Sequence, residues 1–228
     1  MLSNWKLYYR ELSAFEKVNY LIFTIFSLAY ILTLQYRPYA FSYVIKIIPI
    51  LSLSFISILY IPGRKGKYIF IGLLFSAAGD IFLAMEGDKY FIYWLGAFGF
   101  AHIMYISAFL KNITLKRKRS FLSLFFVIYG LIIGYLLLPN LGKMFIPATI
   151  YLLLLAFSGI SSVIGRDNYY MVIPGTMLFM ISDSIIAVNT YLTKIPHSSF
   201  WIMLTYFPAQ LLITYGSAKT EVSVKKHS

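Results

Sequence analysis

The stretch GLLFSAAGDIFLAM (72–85) is apolar almost throughout, yet Asp80 stands in its middle. About a hundred residues later PGTMLFMISDSIIAV (174–188) places Asp183 in the same way. Each run is long enough to approach the roughly 20 apolar residues that cross a bilayer. A carboxylate at the centre of such a helix costs ~2.5–3.5 kcal/mol on insertion scales, and residues of this kind face the bundle interior and mark function. The alternative is a hydrogen-bonded aspartate that only pins two helices together.

The surrounding chain has the same character. It is 228 residues long, 60% hydrophobic and 12% charged, where a soluble domain is about a quarter charged. Eight apolar runs follow one another at about 17–36, 40–61, 68–86, 91–110, 120–138, 144–164, 169–190 and 199–217. The fold class expected is therefore all-α: a polytopic membrane bundle of eight transmembrane helices. It forms one domain over 1–218, and 219–228 reads as a disordered basic tail. The first residues lack a short apolar core with a small-residue cleavage site, so no signal peptide is expected.

Net charge is +12. The basic residues sit in short loops between apolar runs, which is the pattern of topology and anionic headgroups rather than of nucleic acid. Fifteen fall on one side: Lys6, Arg10, Lys17, Arg64, Lys65, Lys67, Lys111, Lys116, Arg117, Lys118, Arg119, Arg166, Lys219, Lys225 and Lys226. Four fall on the other: Arg37, Lys89, Lys143 and Lys194. This asymmetry places both termini in the cytoplasm, and an even number of helices agrees. GDIFLA (79–84) and SDSIIA (182–187) echo each other in the third helix of each half, which suggests two parallel four-helix repeats.

Six of the eight acids, Glu11, Glu16, Glu86, Asp88, Asp167 and Glu221, lie near helix ends, in loops or in tails, where a solvated position is expected. Depth, at ~1.5 Å per residue, sets the other two apart. Asp80 and Asp183 fall past the midplane in outward-running helices. Lys46, Tyr151 and Tyr206 fall at similar depth in inward-running ones, with His102 and Gln210 slightly deeper. Polar side chains from six helices thus share one slab. Ser76, Ala77, Ala78, Gly79, Ser182 and Ser184 let backbones approach closely around the acids. Pro49 and Pro208 are expected to kink their helices. The aromatic content of 19% reads first as an interfacial belt, and also suits a pocket for an acyl chain.

Two acids in a low-dielectric slab do not both ionise easily, so the pair supplies a proton donor and a proton acceptor. Lys46 offsets charge or binds a phosphate. This serves acid–base hydrolysis of a lipid, or proton-coupled transport of a lipid or amphiphile; the residues alone do not choose. The chain has no cysteine, which excludes disulfides and thiolate chemistry. A GxSxG elbow, a P-loop and a GxGxxG motif are absent. His102 with Asp80 and Asp183 would make a three-ligand zinc site only by using both acids, and no metal or cofactor is expected.

At these residues the chain resembles the YhhN family, the lysoplasmalogenase-like integral membrane proteins. The matching pieces are KIIP (46–49), GDIFLA with Asp80, FGFAHIMYI (98–106) with His102 and Tyr105, Tyr151, LFMISDSIIAVN (178–189) with Asp183 and Asn189, and TYFPAQLLI (205–213) with Tyr206 and Gln210. The likeness spans about 20–217. It implies an eight-helix ether hydrolase without a cofactor. Its partners would be membrane lipids and a lysophospholipid substrate with a vinyl ether chain. Products would be a fatty aldehyde and glycerophosphoethanolamine or glycerophosphocholine. Asp80 and Asp183 would be catalytic. Lys46, His102, Tyr105, Tyr151, Asn189, Tyr206 and Gln210 would bind or support. A bacterial inner membrane suits the chain, and an endoplasmic reticulum would suit the same topology. Oligomeric state is not legible.

Overall fold

The computed structural model describes residues 12–37, 39, 41–85, 90–111, 113, 120–165 and 169–225, with the side chains of all but 169 and 219–225. Lys6, Arg10, Glu11, Glu86, Asp88, Lys89, Lys116, Arg117, Lys118, Arg119, Arg166, Asp167, Lys226 and His227 lie outside the described residues. Among those described, the chain forms eight α-helices: α1 (Ala14–Thr33), α2 (Ser42–Tyr60), α3 (Gly63–Ala84), α4 (Phe91–Phe109), α5 (Leu122–Leu137), α6 (Phe145–Ile164), α7 (Tyr169–Tyr191) and α8 (Ser198–Lys225). Each apolar run corresponds to one helix. The last is continuous to Lys225, through most of the segment expected to be a disordered tail.

Seven of these elements, from α1 to α7, are long and apolar enough to cross a membrane. The helix α8 is long enough but less hydrophobic. Its Tyr206, Pro208, Gln210 and Thr214 lower the mean hydropathy, and Tyr206, Gln210 and Thr214 are all buried inside the bundle. Apolar surface points the other way. On α5, Leu124, Ile128, Leu131 and Tyr135 are exposed at three- and four-residue spacing, and on α1 so are Leu21, Ile25, Leu28 and Leu32. A stripe of this kind on a helix lies on one face, and its contact with lipid tails costs nothing. The chain is a multi-pass integral membrane protein.

Helices α1 to α4 pack in chain order, and α4 turns onto α6. The helix α5 lies outside α6 and touches α7, while α7 pairs along its length with α8, which closes the bundle against α2 and α1. The tight α3–α4 seam depends on two glycines. A Cβ at Gly72 would meet the Tyr105 ring at 2.5 Å, and one at Gly79 would meet the Phe98 ring at 2.8 Å. Missing side chains at these points let two large rings come close against α3.

Two charges depart from the sequence reading. Glu16, expected to be solvated, is buried: it closes a capping box, its carboxylate accepting from the Ser13 N–H while the Ser13 hydroxyl accepts from the Glu16 N–H. This satisfies two amide donors that a helix start leaves open. Lys65, expected in a loop, lies in the first turn of α3, is buried, and donates through Nζ to the Ser217 carbonyl of α8 at 3.2 Å. The prolines Pro49, Pro174 and Pro208 lie inside α2, α7 and α8.

Candidate active site

The carboxylate of Asp80 lies on the inner face of α3 and is 1% exposed. Its Oδ1 is 2.8 Å from Lys46 Nζ of α2. Its Oδ2 accepts a hydrogen bond from the Tyr206 hydroxyl of α8 at 2.7 Å. The Tyr206 oxygen in turn accepts from Gln210 Nε2 at 3.3 Å, and Gln210 Oε1 accepts from the Tyr105 hydroxyl of α4 at 2.8 Å. Ser76, one turn before Asp80, is 3.3 Å from the same hydroxyl. Every donor in this chain of bonds points toward Asp80, which acts only as an acceptor, as an ionised carboxylate does. Local sequence explains the alignment: Tyr206 and Gln210 are four residues apart on α8, as are Ser76 and Asp80 on α3, so each pair shares one helix face.

The Lys46–Asp80 pair is fully desolvated. Such a pair persists only where further hydrogen bonds complete it, and Tyr206 supplies one. Lys46 is therefore engaged, so of the two roles open to it in the sequence it neutralises a carboxylate and is not available to a phosphate.

Asp183 is placed differently. It is 7% exposed, and its Oδ2 accepts a short hydrogen bond from the Tyr151 hydroxyl of α6. No cation contacts it among the described residues. With Tyr151 it lines a pocket open at one side. The pocket runs along α7 from Asp183 to Tyr191, about 12 Å at ~1.5 Å per residue. Its walls are mainly aliphatic and aromatic side chains of α4, α5, α6 and α7, with Phe91, Trp94 and Leu152 among them. Apolar walls with one or two converging polar groups are the usual composition of a small-molecule site. Apart from Asp183, the lining carries no charged side chain among the described residues.

Between the two acids stands a box of rings. His102 of α4 is 4.6 Å from the Phe179 ring, 5.9 Å from Tyr151 and 6.1 Å from Tyr105. Phe179 also meets Tyr206 at 5.6 Å and Phe98 at 6.1 Å. Of the residues singled out in the sequence, Lys46, Asp80, Tyr105, Tyr206 and Gln210 are joined in one network, Tyr151 and Asp183 in a second, and His102 adjoins both. Asn189 is not with them: its Oδ1 accepts from the Ile195 N–H at 2.9 Å and so holds the turn after α7. Phe179 was missed by the sequence reading. It lies one turn before Asp183 on the same helix face, a signal hidden because a phenylalanine in an apolar run is ordinarily core. Asp80, His102 and Asp183 do not converge as a metal-binding trio among the described residues.

Together these features define a class: a multi-pass helical membrane protein with two buried carboxylates, one ion-paired inside the bundle and one opening on an apolar pocket. The chain belongs to the YhhN family, whose model matches residues 41–217; the likeness read from the sequence began some twenty residues earlier. It is 30% identical over 169 residues to the Bos taurus protein named lysoplasmalogenase TMEM86A, covering 70% of this chain and 68% of that one. The Homo sapiens protein of the same name is 31% identical over 169 residues, with the same coverage. A Mycobacterium tuberculosis protein named lysoplasmalogenase is 29% identical over 162 residues, covering 68% of this chain and 61% of that one. No solved structure matches the chain.

Proposed function

We propose that this chain is a lysoplasmalogenase-like ether hydrolase that cleaves the vinyl ether of a lysophospholipid, releasing a fatty aldehyde and glycerophosphoethanolamine or glycerophosphocholine. The observation that carries this reading is the unlike setting of the two acids. Asp183 faces an apolar pocket without a cation, and Asp80 is held by Lys46 and Tyr206. A vinyl ether is cleaved by protonating its β-carbon, which leaves an oxocarbenium ion that water then attacks. In this reading Asp183 delivers the proton and Tyr151 orients it. Asp80, kept ionised by Lys46, adds negative potential behind the developing cation. General acid catalysis contributes about 10²–10⁴-fold, and preorganised charge adds to it. The apolar walls suit the alkyl chain. Among the described residues they offer no cation to a phosphate.

The test is release of free aldehyde by purified protein from a lysoplasmalogen, with the saturated ether lipid as control. We expect release from the vinyl ether only, and a fall of about 10²-fold or more in Asp183→Asn and in Asp80→Asn. Near-normal turnover in either variant overturns the two-acid mechanism. We place the protein in a bacterial cytoplasmic membrane with both termini inside. A C-terminal fluorescent-protein fusion should then fluoresce, and a periplasmic phosphatase fusion at the same point should be inactive.

A further inference from the structure

We infer that His102 is the base that takes a proton from the water adding to the cation. This rests on the vinyl ether reading above. His102 is 2% exposed, and neither ring nitrogen has a hydrogen-bond partner among the described residues. A neutral imidazole carries one donor and one acceptor, and buried polar atoms without partners are few enough that each asks for a reason. Neighbouring side chains supply none. Phe179 is apolar. The Tyr105 hydroxyl donates to Gln210 and the Tyr151 hydroxyl to Asp183, so neither proton is left for the imidazole. The acceptor nitrogen of His102 is thus left open among the described residues.

The arrangement of partners in the two halves points the same way. When the halves are aligned on GDIFLA (79–84) and SDSIIA (182–187), α2, α3 and α4 fall opposite α6, α7 and α8. Asp80 on α3 is met by Lys46 of α2 and by Tyr206 of α8. Asp183 on α7 is met by Tyr151 of α6, the counterpart of α2. The counterpart of α8 is α4, and His102 follows Asp80 along the chain at nearly the separation by which Tyr206 follows Asp183. At the position in α4 that this alignment matches to Tyr206 stands His102, whose ring lies 5.9 Å from that of Tyr151, the partner of Asp183. A neutral phenol is too weak a base to take a proton from water; a neutral imidazole can take one.

The protons then balance. Asp183 gives its proton to the β-carbon, and the ether-bearing carbon becomes the cation. The oxygen of water bonds to that carbon as one water proton passes to His102, leaving a hemiacetal. The hemiacetal hydroxyl returns a proton to Asp183 as the carbon–glycerol oxygen bond breaks. The glycerol oxygen takes the proton held by His102, and both side chains are restored with one water consumed.

The experiment uses His102→Phe, which keeps a ring, and His102→Gln, which keeps hydrogen bonding without a base. Each is assayed on lysoplasmalogen in D₂O, with mass analysis of the recovered substrate. In the parent, water captures the cation at once and recovered substrate carries no deuterium. In both variants we expect aldehyde release to fall about 100-fold or more, with deuterium entering the β-carbon of recovered substrate as the trapped cation reverts. The idea is overturned by turnover within threefold of the parent, by recovery of rate in His102→Gln, or by slow turnover without deuterium in monodisperse protein. Each of these would assign His102 to packing alone. Absence of aldehyde from the parent protein would instead overturn the ether hydrolase reading itself.

Discussion

Replacing Lys46 by methionine tests the energetic core of the site. The side chains are similar in length, so the change removes a charge more than a volume. It leaves Asp80, 1% exposed, without the cation 2.8 Å away and with Tyr206 as its one remaining donor among the described residues. Breaking a buried pair by removing one partner costs about 3–5 kcal/mol. For a domain of this size each kcal/mol is worth about 2–4 °C of Tm, so the melting temperature in detergent should fall by about 6–20 °C. The double variant Lys46→Met/Asp80→Asn removes both charges, and the Asn carbonyl still accepts from Tyr206. Its unpaired amide costs about 1–3 kcal/mol, so it should be more stable than Lys46→Met alone, though inactive. Differential scanning fluorimetry of the purified proteins reads both values. A Lys46→Met protein that melts within 2 °C of the parent, or a double variant no better than the single, would refute the reasoning: the pair would then not be a desolvated, interdependent unit.

Tyr151→Phe deletes the hydroxyl that donates to Asp183; hydrogen bonds to charged groups are worth about 1.5–3 kcal/mol, so turnover should fall about 10- to 100-fold in the aldehyde assay. Gly72→Ala drives a methyl toward the Tyr105 ring, 2.5 Å from the added carbon. Overpacking costs about 1–3 kcal/mol, so Tm should drop by about 2–12 °C and activity should fall as Tyr105 is pushed off Gln210. Ala187→Phe puts a ring where Ala187 lines the apolar pocket; kcat/KM for the lipid should fall about 10-fold or more as the ring competes with the alkyl chain.

Sequence alone carried the membrane class, the eight helices and the two odd carboxylates. Each of those signals is local: an apolar run long enough for a bilayer, or a charge where hydrocarbon forbids one. It also gave a common depth for Lys46, His102, Tyr151, Tyr206 and Gln210, because helical rise converts residue number to height. Rotation and neighbours were beyond it. Glu16 and Lys65 sat near apparent helix ends and read as solvated, yet a capping box and a carbonyl of α8 draw both inside. Asn189 matched the family motif, yet it serves a turn. Only the tertiary structure decided that Lys46 and Tyr206 close on Asp80 and that Asp183 alone meets the pocket. The reason is physical: depth along a helix is fixed by its own sequence, but which faces meet depends on packing between helices far apart in the chain, such as α8 bringing Tyr206 onto Asp80 of α3.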